Sequence, residues 1–109
     1  MTDDTIYKLT SITNLDGTNR LDGRYPLRIG RTCRLFERPI VGQCLYIEWI
    51  SNADGTPYPS RYTRTSLVRH VEWQYARAEN AMDWQNVSRI IVTTCNSIYT
   101  FDAIFPHLT

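Results

Sequence analysis

The sequence predicts a mainly β domain: a small antiparallel sheet or an SH3-like or OB-like barrel of five to six strands, with one short helical insert near residues 76–84. Three observations carry this. Of 109 residues, 28 are Ile, Val or Thr and 13 are Phe, Trp or Tyr, types that suit a pleated, half-buried surface, against 10 Ala, Lys and Glu together. Apolar residues alternate with polar ones in several short segments. Asp-Gly and Asn-containing turn signals separate those segments.

Residues 5–13 read as the first strand, closed by the turn residues Asn14 to Asn19 around Asp16-Gly17. Asp22-Gly23 marks a second turn, since Leu15-Asp16-Gly17 recurs as Leu21-Asp22-Gly23. Residues 31–36 set Cys33 and Leu35 on one face and Thr32, Arg34 and Phe36 on the other, and Pro39 ends the segment because it has no N–H to give a ladder. Residues 43–50 put Leu45, Ile47 and Trp49 on one face while Cys44, Tyr46 and Ile50 nearly fill the other, the pattern of a central strand. Ser51 to Ser60 holds Asp54-Gly55, Pro57 and Pro59 and reads as a loop carrying Tyr58, longer than the usual hairpin loop of about two to five residues and so expected to serve function.

Residues 61–75 read as extended, with Val71, Trp73 and Tyr75 in step. Residues 76–84 read as the helical insert, because Ala78, Ala81 and Met82 share a face. Residues 87–94 and 97–101 make a closing hairpin around Cys95-Asn96, where Asn suits the positive φ of tight turns. The tail through Phe105, Pro106 and His107 is expected to be peripheral. No linker, charge run or low-complexity tract divides the chain, so residues 1–109 are expected to form one domain.

Several chemistries lack their signatures. The nearest Cys pair, Cys33 and Cys44, is eleven residues apart, too far for the paired ligands of a structural zinc site. No glycine spacing fits a phosphate loop, and Asp16-Gly17-Thr18-Asn19-Arg20 puts an arginine where a calcium loop needs an oxygen. No metal and no cofactor is expected. The histidines are His70 and His107; a Cys44 or Cys95 pairing with His70 is conceivable, but Cys33, Cys44 and Cys95 sit among apolar and Thr neighbours and are expected to be inert core thiols. Asp16, Asp22 and Asp54 all precede glycine, where Asp builds turns. A non-enzymatic role is the expectation. The longest apolar run, Cys44-Leu45-Tyr46-Ile47, is far below a membrane span, and three unpaired cysteines suit a reducing compartment, so a soluble cytoplasmic chain is expected.

The net charge of +1 conceals segregation: residues 20–38 carry +4 and 61–70 carry +3, while 1–19, 39–60 and 71–109 each carry −2. Eleven arginines stand against one lysine. Arginine's planar fork gives bidentate bonds to phosphate or carboxylate and stacks on rings, so the skew fits anion recognition, although a coding bias towards arginine would produce the same count. Aromatics accompany these arginines, at Arg24-Tyr25, at Phe36 between Arg34 and Arg38, and through Tyr58, Arg61, Tyr62 and Arg64. Such interleaving suits a ligand with both phosphate and a flat base, as in a nucleotide or a single strand. Double-stranded DNA fits poorly, because a pI near 7.7 lacks the basic footprint a duplex requires.

Thr65-Ser66-Leu67-Val68 followed by Thr94-Cys95-Asn96-Ser97-Ile98-Tyr99 resembles a pattern of short β-rich accessory proteins from phages and mobile elements. The resemblance implies stoichiometric action, inhibiting a host protein or sequestering a host signalling molecule.

The leading expectation is thus a non-catalytic module that binds an anionic, nucleotide-like molecule or short single strand through Arg24, Tyr25, Arg28, Arg31, Arg61, Tyr62 and Arg64. The alternative is an inhibitor or accessory subunit that grips a protein partner through Tyr58, Trp73, Trp84 and Phe105, since Trp and Tyr dominate binding hot spots. A homodimer is expected from the free edges of an open sheet.

Overall fold

In the computed structural model, which describes residues 5–75 and 87–104, six antiparallel strands follow in chain order and the last pairs with the first, closing a barrel. They are β1 (Ile6–Thr13), β2 (Thr32–Leu35), β3 (Cys44–Ser51), β4 (Pro57–Tyr75), β5 (Val87–Thr94) and β6 (Ile98–Ala103), with a one-turn helix, α1 (Tyr25–Arg28), between β1 and β2. An even strand count lets the closing β1–β6 pair be antiparallel like the rest. Every strand has a partner on each side, so the open-edge argument for a homodimer no longer applies. The helical insert expected over residues 76–84 lies outside the described residues. Among the described residues, no helix is long and apolar enough to cross a membrane.

Alternation fills the barrel: Tyr7 and Leu9 from β1, Cys33 and Leu35 from β2, Leu45, Ile47 and Trp49 from β3, Ile90 and Val92 from β5, and Tyr99 and Phe101 from β6 are all buried. Ile12 joins them out of phase because the ladder shifts register between Leu9 and Ser11, which restores an inward position one residue later. A second shift, between Cys44 and Tyr46, is stabilised by buried Thr65. Its Oγ1 accepts the Leu45 N–H at 3.0 Å and donates to the Ser66 carbonyl at 2.7 Å. Burial pushes the Cys33 thiol up to about 12.

The structure corrects four expectations. Strand β3 is buried on one face only: opposite Leu45, Ile47 and Trp49, the Tyr46 ring is exposed. Of the cysteines only Cys33 is a core residue, Cys44 being half-buried and Cys95 exposed. The long loop over 51–60 is instead a short turn, because Ser51 already pairs with Pro57 and β4 starts there; Tyr58 therefore stands on a strand. Asn96 does not adopt positive φ. The Thr94 hydroxyl closes that turn by accepting the N–H groups of Asn96 and Ser97, at 3.3 and 3.1 Å.

The short β3–β4 turn is a copy of another. Asn14-Leu15-Asp16-Gly17-Thr18 and Asn52-Ala53-Asp54-Gly55-Thr56 share the spacing Asn-x-Asp-Gly-Thr and fold alike. In each, the Asn N–H donates to the Thr carbonyl, the Gly N–H to the Asn carbonyl, and the Asp Oδ1 accepts both the N–H and the hydroxyl of Thr, all within 2.6–3.0 Å. These bonds favour the charged carboxylate and hold Asp16 and Asp54 below the ordinary carboxylate value.

In an up-and-down barrel the β1–β2, β3–β4 and β5–β6 connections meet at one end. Arg20 ties two of them together, donating from Nη1 to the Asn96 carbonyl at 3.1 Å and to Ser97 Oγ at 2.6 Å while its other nitrogens grip Asp22. Gly30 joins the third pair: its φ is +90°, and a Cβ there would lie 2.9 Å from the Ala53 Cβ. The β1–β2 connection thereby becomes a fixed cover over the barrel end.

Candidate functional site

That cover brings arginines together. Pro26 sits in the first turn of α1, where its fixed φ suits the helix and its missing N–H is no loss. The helix carries Arg24 at its N-terminal boundary and Arg28 in its last residue. Gly30 N–H bonds to the Leu9 carbonyl at 2.7 Å and Leu9 N–H to the Arg31 carbonyl at 2.9 Å, which pins Arg31 against β1. From the opposite side β4 contributes Arg61, in register with Trp49 of β3.

Arg24, Arg28, Arg31 and Arg61 line one cleft of about 460 Å³ with Leu27, Trp49, Tyr58, Tyr62 and Thr63. No carboxylate, imidazole or thiol lies among these lining residues. The ion pairs among the described residues are Arg20–Asp22, Arg34–Glu48 and Arg89–Asp102, so none of the four cleft arginines is neutralised by a carboxylate. Gathering like charges against the low-dielectric wall of Trp49 and Tyr58 focuses a positive potential on the cleft.

Arg31 is the most constrained of the four. Its guanidinium lies over the Tyr58 ring at 4.3 Å and over the Trp49 ring at 5.5 Å, and its Nε is buried with no hydrogen-bond partner among the described residues. Trp49 is in turn fixed by its Nε1–H, which donates to Thr63 Oγ1 at 2.9 Å.

Five of the seven residues expected to bind ligand meet in this cleft: Arg24, Arg28, Arg31, Arg61 and Tyr62. Tyr25 does not line it; half-buried on the core, it lies beneath Arg20 at 4.2 Å and Arg28 at 5.4 Å and supports the latter. Arg64 does not line it either, facing outward from β4 in register with Tyr46. Of the alternative anchors, Tyr58 is half-buried under Arg31, and Trp73, also half-buried, lies beneath Arg38 at 5.4 Å. Trp84 and Phe105 lie outside the described residues. The sequence reading missed the cleft roles of Leu27, Trp49 and Thr63, and a four-residue helix is too short to show apolar periodicity, so Pro26 was its one signal.

A second groove, of about 510 Å³, lies between the β2–β3 connection, which contributes Phe36, Glu37, Arg38 and Ile40, and the start of β3, with Tyr62 of β4 beside it. Phe36, Tyr46 and Tyr62 stand there in mutual edge-to-face contact, with centroids 5.5 Å apart for Phe36–Tyr62, 6.2 Å for Tyr46–Tyr62 and 6.5 Å for Phe36–Tyr46. They remain 39%, 40% and 63% exposed for Phe36, Tyr46 and Tyr62, so the cluster is no part of the core. The alternation around Leu45, Ile47 and Trp49 already places Tyr46 on the opposite face. No protein-family model, no curated protein and no solved structure matches this chain.

Proposed function

We propose that the protein is a non-catalytic binding module for a phosphate-bearing, nucleotide-like ligand, held in the cleft at the covered end of the barrel. The observation that carries this is the convergence of four arginines, without carboxylate partners among the described residues, on a cleft walled by Trp49, Tyr58 and Tyr62. Guanidinium forks match phosphate oxygens, and the Tyr62 ring, 63% exposed, offers a surface to a base, while Trp49 and Tyr58 hold Arg31 in place. Three free cysteines accord with a cytoplasmic, reducing setting, and the resemblance to phage accessory proteins accords with stoichiometric sequestration.

The test is calorimetry and thermal shift with nucleoside monophosphates, cyclic nucleotides and short oligonucleotides. A ligand at 100 times its Kd raises stability by about 2.7 kcal/mol. Arg28→Ala and Arg61→Ala each weaken binding by about 1–3 kcal/mol, the scale of a charge-assisted contact, and leave the melting temperature unchanged. A flat panel, or undiminished binding in both variants, refutes the proposal.

A further inference from the structure

The arginine cleft and the aromatic groove share a wall, since Tyr62 lines both. We infer that the groove is a base-stacking subsite continuous with the cleft, so that the ligand is a single-stranded oligonucleotide of two or more nucleotides and not a mononucleotide. This rests on the cleft holding a phosphate.

Strand register builds the path. Arg34, Glu48 and Tyr62 lie in one cross-strand row, and Phe36, Tyr46 and Arg64 lie in the next. A chain leaving the cleft over Tyr62 therefore meets Tyr46 and Phe36 one row further on, with Arg64 beside them. Glu48, the acid within these rows, is paired with Arg34 at 3.4 Å, which reduces its repulsion of a polyanion, and Glu37, the acid that lines the groove, is offset in charge by Arg38 in the same lining. Arg64, exposed and in no ion pair among the described residues, is placed for a second phosphate.

Three partly exposed rings beside a cationic cleft are costly to leave in water and suit successive bases, which stack on aromatic side chains whatever their sequence. A duplex cannot use them, because its bases are already stacked. An acidic segment of a protein would satisfy the arginines but leaves the alternation of cation and ring unexplained. The arrangement matches the alternation of phosphate and base along a nucleic acid strand.

The probes are thymidine 5′-monophosphate and oligothymidylates of two, four and six nucleotides, measured by calorimetry and by fluorescence anisotropy at two salt concentrations. Affinity is expected to rise at least about tenfold from the monophosphate to the tetranucleotide, with a steeper salt dependence for the longer chain. Tyr46→Ala and Phe36→Ala each reduce tetranucleotide affinity about tenfold and leave the monophosphate unaffected, while Arg61→Ala weakens both. Tyr46→Phe keeps the ring and retains affinity, which separates loss of stacking from loss of fold. Monophosphate binding with no gain on lengthening overturns the inference and leaves the cleft standing. If neither probe binds, the cleft proposal and this one fail together. If Tyr46→Ala changes the sedimentation coefficient and not oligonucleotide binding, the groove is a protein interface and the inference is overturned.

Discussion

Gly30→Ala probes how the cover over the barrel end is held. Two costs add. The backbone at Gly30 has φ +90°, and a left-handed conformation costs an L-residue about 1–2 kcal/mol. The new Cβ would also stand 2.9 Å from the Ala53 Cβ, which belongs to a short side chain that cannot swing aside, and overpacking of that kind costs about 1–3 kcal/mol. The expected loss is therefore about 2–5 kcal/mol, read by urea or thermal unfolding as a fall of at least about 8 °C at roughly 4–8 °C per kcal/mol for a domain of this size. Gly17→Ala supplies the control, having φ +92° with nothing within 4 Å of the added Cβ, so it bears the backbone cost alone. Adding Ala53→Gly to Gly30→Ala restores the contact part and leaves the backbone part. If Gly30→Ala and Gly17→Ala lose stability equally, within about 0.5 kcal/mol, the approach of the two connections contributes nothing and the account of the cover is wrong.

Thr65→Val leaves the Leu45 N–H without its acceptor inside the β3–β4 irregularity, and is expected to cost about 1–3 kcal/mol by denaturant unfolding; a neutral result means backbone or solvent replaces the hydroxyl. Asp16 and Asp54 titrate below 3.8 when folded, so the stability they add is fully present above that value and lost as pH falls through their folded values. Melting curves across the acid range should fall more steeply with acidification for the native sequence than for Asp16→Ala/Asp54→Ala, and equal slopes refute the assignment. Native-state alkylation followed by mass spectrometry should label exposed Cys95 first and spare Cys33, whose buried thiol is pushed up to about 12, until the protein unfolds. Equal labelling of the two would contradict the placement of Cys33 in the core.

The sequence by itself determined the strand content and the inward residues of the regular strands, because a period of two is a local property and Leu45, Ile47 and Trp49 announce it without help from the rest of the chain. It also marked Asp16 and Asp54 as turn-builders, since Asp before Gly acts on its own backbone within two residues. It supplied the arginines but not the site. Arg24, Arg28 and Arg31 come from the β1–β2 connection and Arg61 from β4, and only barrel closure, with the packing of Gly30 against Ala53, sets them around one cleft. Tertiary structure likewise decided that Tyr58 would stand on a strand, because the pairing of Ser51 with Pro57 depends on a partner that propensity cannot see. It separated Arg20, spent on Asp22 and the β5–β6 turn, from Arg28 and Arg61, which meet no carboxylate among the described residues. A guanidinium's role is set by which oxygen atoms lie within about 3 Å of it, and that distance is fixed by contacts between residues far apart in the chain.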